Sequence, residues 1–449
     1  MNPPVSSHDD LDSVPELIGH ADELAMSTPP GTSDENPPPP TGGRTARPSK
    51  AETHGGPRYD NRVAIVQGHA KAGLLVAAAF VVAAAVASAA STDDRWLALH
   101  LFVVGALGTA ISATTQLLAV TWSAAPAPDD KVVRSQLVLF SAGTVCIAVG
   151  RQSSLDGLTI IGGVGVVAAL GVLIITLGNI RGSSATDRFA PAIDAYMTAA
   201  VCGMCGVAVG TLMATAHIDV DWIVRVARAH AALNVFGFVG LVIAGTLPYF
   251  VATQARMKMS PRATPQRLRQ ANGLLFVAVM ITVVGHGIDM GWVAAVGYGA
   301  YAAGLGFVAS LLPRPGRRQY DWAGPRLLQL GLGLIWWIGV TVARATSVVR
   351  GVDADTSLIE PLVIGGYAQI LIGSLAYFGP VLRAGGHKRL SAGFAVTRSW
   401  ASLVGLNIAA VGAVIGSGPL VAAALLVCTL DVVVRTGRLL IPASASSST

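Results

Sequence analysis

The feature that most limits what this chain can fold into is a recurring run of roughly 18–28 residues with little or no charge, repeated between about residue 63 and residue 442. Twelve such runs lie near 64–90, 96–122, 134–150, 157–180, 190–216, 224–252, 271–288, 291–313, 326–345, 361–383, 395–415 and 419–440. Hydrocarbon offers no partner for backbone N–H and C=O groups, so a segment of this length and polarity must be a helix that bonds to itself. Only 12% of the residues are charged, about half the share in a soluble domain, and 52% are hydrophobic. The expected fold is an all-α polytopic membrane protein of about twelve transmembrane helices.

Three regions follow. Residues 1–62 contain PPGTSDENPPPPTGGRTARPSK, which cannot bury enough apolar surface to offset its ordering entropy, and are expected to form a disordered Pro-rich tail without a secretory signal. Residues 63–441 form the twelve-helix domain, and 442–449 a short polar end. Basic and acidic loops alternate. Arg256, Lys258, Arg262, Arg267 and Arg269 follow the sixth run, RPGRRQYDW the eighth and RAGGHKR the tenth. Asp93 and Asp94 follow the first run, Asp219 and Asp221 the fifth, and Asp353, Asp355 and Glu360 the ninth. The positive-inside rule then puts both termini in the cytoplasm, and the expected location is a cell (inner) membrane. Net charge is +6, but it concentrates in these loops, which suits the lipid bilayer as partner and argues against nucleic acid.

Against that background the polar residues stand out. His100 and His230 fall one to two turns below the outer ends of the second and sixth runs, and His217 and His286 close the fifth and seventh. Intramembrane histidines are costly, and four at one depth on four helices form a candidate ligand set for a metal. The plainer alternatives are wetted interfacial residues for His217 and His286, and an interhelical hydrogen bond with glycine packing for Asn234. Asn234 lies one turn after His230, with Gly237 and Gly245 close to the same face, so it could orient a cofactor or bound water. His69, beside Lys71 near the inner end of the first run, reads as a snorkelling interfacial residue.

Other motifs are weaker. CGMCG, residues 202–206, with Met213 and His217 would give a thiolate, thioether and imidazole stripe suited to copper(I), although buried Cys202 and Cys205 more commonly just pack. GGVGVVA, residues 162–168, has dinucleotide-fingerprint spacing but follows no strand, so helix packing explains it. Asp194, Asp289 and Asp431 all sit near run ends, which weakens a proton pump or ion-coupled carrier.

RAHAALNVFGFVGLVIAGTLPYF, GGYAQILIGSLAYFGPVL and LHLFVVGALGTAISATTQ resemble recurring segments of NnrS-like and "copper oxidase"-labelled bacterial membrane proteins. Twelve runs with outer histidines on the second, sixth and seventh are distantly similar to subunit I of the haem–copper oxidases and nitric oxide reductases. The resemblance implies an oxidase-like bundle binding haem and/or copper near the outer face, in respiratory, nitric-oxide or copper homeostasis, with a respiratory-chain redox partner. It makes His100 a haem axial ligand and His230 and His286 copper or second-haem ligands. The tenth run departs from the oxidase pattern: it has no histidine, and Gln369 and Tyr377 are its polar residues. A complete oxygen-reducing centre is therefore not expected, and whether the protein is an enzyme stays open. The rival readings are a membrane transporter or facilitator, and a non-catalytic assembly or sensor protein with a degenerate oxidase site.

Overall fold

A computed structural model describes residues 57–90, 96–216, 219–352, 355–383 and 386–440. The expected tails, the acidic residues 93, 94 and 353, and His217 lie outside the described residues, or outside those whose side chains are described. The first helix begins at Pro57, inside the stretch assigned to the tail, and residues from Ile65 onward form one compact unit.

Twelve helices are long and apolar enough to cross a membrane. They are α1 (Arg62–Ser88), α2 (Trp96–Ser123), α3 (Asp130–Gln152), α4 (Asp156–Gly182), α5 (Asp187–Thr215), α6 (Trp222–Gln254), α7 (Pro265–Gly287), α8 (Gly291–Leu311), α9 (Pro325–Val349), α10 (Ser357–Arg383), α11 (Arg389–Val414) and α12 (Gly418–Leu439). Each matches one of the runs predicted from hydropathy. Among the described residues there is no strand. Side chains such as Val82, Ile161, Val164, Leu426 and Val433 point outward, where lipid rather than water solvates them.

A four-helix unit recurs three times. The hairpins α3–α4, α7–α8 and α11–α12 turn in the same way: Leu155 N donates to Gly150 O, Met290 N to Gly285 O and Ser417 N to Gly412 O. The middle residue of each loop, Ser154, Asp289 or Gly416, has positive φ, so each turn closes as a Schellman-type cap. The glycine three residues before each loop lets the second helix of the hairpin approach. A Cβ at Gly150 would stand 2.6 Å from Thr159 N, and one at Gly412 3.2 Å from Val421 N. One helix before each hairpin, α2, α6 and α10 contain the π-helical stretches Leu101–Gly108, Ala232–Gly240 and Leu362–Ala368. Such expansions of the helical ladder are rare and often mark functional sites.

The helix α6 is the hub: 83% of its apolar window is buried, against 11% for α12. Its widened turn needs outside donors, and two tyrosines supply them. Tyr301 of α8 donates to Phe236 O at 2.8 Å, and Tyr367 of α10 donates to Val235 O at 2.9 Å. Both tyrosines and Trp337 of α9 are fully buried around this turn, which ties α6 to α8 of its own unit and to α9 and α10 of the third.

Candidate functional site

The site begins with a glycine ladder. On α5, Gly203, Gly206 and Gly210 share one face, and α6 packs Phe238, Asn234 and His230 into the hollows they leave. A Cβ on Gly210 would stand 2.5 Å from His230 Cε1, one on Gly206 2.6 Å from Asn234 Cγ, and one on Gly203 3.1 Å from Phe238. The absent side chains bring the α5 backbone within bonding range of α6. His230 Nδ1 lies 2.8 Å from Gly206 O. A carbonyl only accepts, so Nδ1 carries the hydrogen and the lone pair of the neutral ring is on Nε2.

His100 reaches the same place from α2. Its Nδ1 donates to Trp96 O at 2.8 Å, one turn back, which puts its lone pair on Nε2 as well. The Trp96 indole stacks on the imidazole with ring centroids 4.2 Å apart. The two imidazoles face each other with centroids 6.3 Å apart and planes 20° from parallel. Both rings sit immediately before a π-helical stretch, at the end of the bundle opposite the basic loops. The corresponding turn of α10 carries Glu360 and Pro361 in place of a histidine, so the third unit contributes no imidazole.

Asn234 donates from Nδ2 to His230 O at 2.9 Å. It also lines, with Val104, Phe140, Leu170 and Phe238, a cavity of about 10 Å³, room for one water.

His286 goes elsewhere. It is buried at the end of α7, with Nε2 3.1 Å from the Tyr298 hydroxyl of α8, and Arg344 of α9 reaches the same hydroxyl at 3.4 Å. His286 and Arg344 border a separate pocket of about 210 Å³ lined also by Arg228, Asp289 and Ser347. Among the described residues no three His, Cys, Asp or Glu side chains gather in a metal-holding group. Of the candidate histidines among the described residues, the structure brings together His100 and His230.

The thiols of CGMCG diverge: Cys202 is buried against Gly237 of α6, and Cys205 is exposed. What matters locally in that motif is its glycines. The sequence signal for this contact is the spacing of Gly203, Gly206 and Gly210 on one helical face. His69 does not snorkel. It bridges α1 and α3, with Nε2 2.7 Å from Asp130 Oδ1. Gln369 is fully buried, and its Oε1 accepts at 2.7 Å from Asn407 of α11, whose own Oδ1 accepts from Trp336 Nε1 at 2.8 Å.

No family model matches the sequence, and no curated protein matches it.

Proposed function

We propose that this is an integral membrane protein that holds a metal between α2 and α6 near the outer face, and that it acts in respiratory, nitric-oxide or copper homeostasis. The observation that carries the reading is the facing pair of imidazoles, each with its Nδ1–H tied to a backbone carbonyl. Such ties set the tautomer and orient the ring in metal-ligating histidines.

Two neutral imidazoles suit copper and also suit the axial positions of a haem iron. We take the single ion as the proposed metal, with α5 packed directly against His230 by the glycine ladder. Copper bound here would supply one-electron chemistry. The chain's own part is to present the imidazoles of His100 and His230 and to hold both rings by carbonyls on α2 and α5.

Orientation belongs to the same proposal. With the basic loops in the cytoplasm of a bacterial inner membrane, twelve crossings return both termini to that side. A periplasmic redox partner would then meet the histidine end.

The test is to purify the protein in mild detergent after copper-replete and haem-replete growth. Copper and iron are then quantified on the sample used for oxidised and reduced spectra. Near-stoichiometric metal that is lost in both His100→Ala and His230→Ala is the expected result. Metal-free wild-type protein, or metal retained in both variants, would sink the proposal. One observation favours a second reading, a facilitator: a 210 Å³ pocket is bordered by the polar side chains of Arg228, His286, Asp289 and Arg344. Uptake of a small anion into vesicles by metal-free protein would favour that reading.

A further inference from the structure

Where α6, α9, α10 and α11 reach the basic end of the bundle, two arginines meet at one aromatic cluster and a third lies beside it. The Arg256 guanidinium carbon, just past α6, lies 3.8 Å from the centroid of the Trp322 ring. Arg326, in the first turn of α9, lies 4.4 Å from the same ring and 4.6 Å from Phe394. Arg398 lies against Gly324, where a Cβ would stand 2.8 Å from its Nε. Trp322 and Tyr377 both pack on Phe394 at 5.5 Å, and these three rings hold the cluster together.

The charges are not balanced. Arg326 is only 4% exposed, and its Nε and Nη2 have no hydrogen-bond partner. Among the described residues none of the three arginines forms an ion pair. The carboxylates nearest in sequence are engaged elsewhere, Asp321 with Arg317 and Asp431 with Arg435. Stacking on an indole offsets part of the desolvation of one guanidinium, but two guanidinium groups on one ring also repel each other. A buried, unpaired guanidinium beside two exposed ones requires a counter-charge with several acceptor oxygens. The first-turn N–H groups of α9 point toward the same end and favour an anion there.

We propose that Arg256, Arg326 and Arg398 bind a phosphate-type oxyanion, supplied by the head group of an anionic phospholipid or by a soluble phosphate. Arginine forks match phosphate oxygens two at a time, which lysine does not. Lys258 and Arg262 on the adjoining loop raise the local concentration of anions without touching the cluster's aromatic walls.

The test uses the full chain in neutral detergent and reads its thermal midpoint. One titration compares phosphatidylglycerol with phosphatidylcholine in mixed micelles, and another compares inorganic phosphate with chloride at equal ionic strength. Two double variants remove the same charge, Arg256→Gln with Arg398→Gln in the cluster and Lys258→Gln with Arg262→Gln outside it. Arg326 stays in place, because its burial would make a folding defect inseparable from lost binding.

The expected result is a saturable stabilisation of wild type whose half-point rises roughly tenfold or more in the cluster variant. In the loop variant it should change less than about threefold. Stabilisation by phosphatidylglycerol alone assigns the oxyanion to a lipid, and stabilisation by inorganic phosphate as well assigns it to a soluble phosphate. No saturable effect of either probe, or equal weakening in both double variants, would overturn the proposal.

Discussion

Adding one methyl group at Gly206 tests whether the α5–α6 ladder positions His230. The new Cβ of Gly206→Ala would lie 2.6 Å from Asn234 Cγ and 2.7 Å from its Oδ1, about 0.8 Å inside the 3.4 Å of ordinary contact. The amide has little freedom to retreat, since Asn234 is bonded to His230 O and His230 is bonded to Gly206 O. Overpacking of this kind costs ~1–3 kcal/mol, and swinging the amide away forfeits a hydrogen bond worth ~1 kcal/mol. Replacing a helix-interior glycine by alanine returns about 1 kcal/mol, so a net loss of ~1–2 kcal/mol is expected. Gly171→Ala is the matched control, because a Cβ there has nothing within 4 Å. It should be neutral or gain up to about 1 kcal/mol. The assay is the thermal midpoint of both variants in the same detergent at one scan rate, with bound metal quantified in parallel. Gly206→Ala should melt several degrees below Gly171→Ala and hold less metal. Equal midpoints and equal metal would refute the claim that glycine contact sets this geometry.

Other expected outcomes test neighbouring parts of the reasoning. Tyr301→Phe removes the hydroxyl that donates to Phe236 O in the widened turn of α6, and should cost ~1–3 kcal/mol by leaving a buried carbonyl unmet; an unchanged melting midpoint would contradict this. Asn407→Leu strands the Trp336 indole N–H and the Gln369 amide oxygen between α9, α10 and α11, so a loss of ~2–3 kcal/mol in the same melt is expected. Tyr298→Phe takes away a hydroxyl bonded to His286 and Arg344 and should lower stability while leaving metal content unchanged, since these residues lie outside the imidazole pair; metal loss in this variant would join the two sites. Reporter fusions in the 255–264 loop should report a cytoplasmic location, and periplasmic activity there would invert the proposed topology.

The twelve helices and their approximate ends were written in the sequence, because lipid leaves the backbone no alternative to self-bonded helices and hydropathy counts residues directly. The unusual positions of His100 and His230 were legible for the same reason: a polar ring at that depth breaks the local pattern. Which histidines meet is a different kind of fact. His100 joins His230 only because Gly203, Gly206 and Gly210 let α5 close on α6, and because α2 brings its own widened turn to that face. His286 stands at a similar depth, yet it turns to Tyr298, since the Gly285 approach packs α7 onto α8 rather than toward α2. The arginine cluster was hidden more completely. Arg256 reads singly as a loop charge obeying the positive-inside rule, and its convergence with Arg326 on Trp322, with Arg398 beside Gly324, exists only once α6, α9 and α11 come together. Hydropathy is a property of one segment at a time, whereas a site is a set of distances between segments. Those distances were decided by the close approaches that glycines permit and by the hydroxyls that meet the exposed carbonyls of α6.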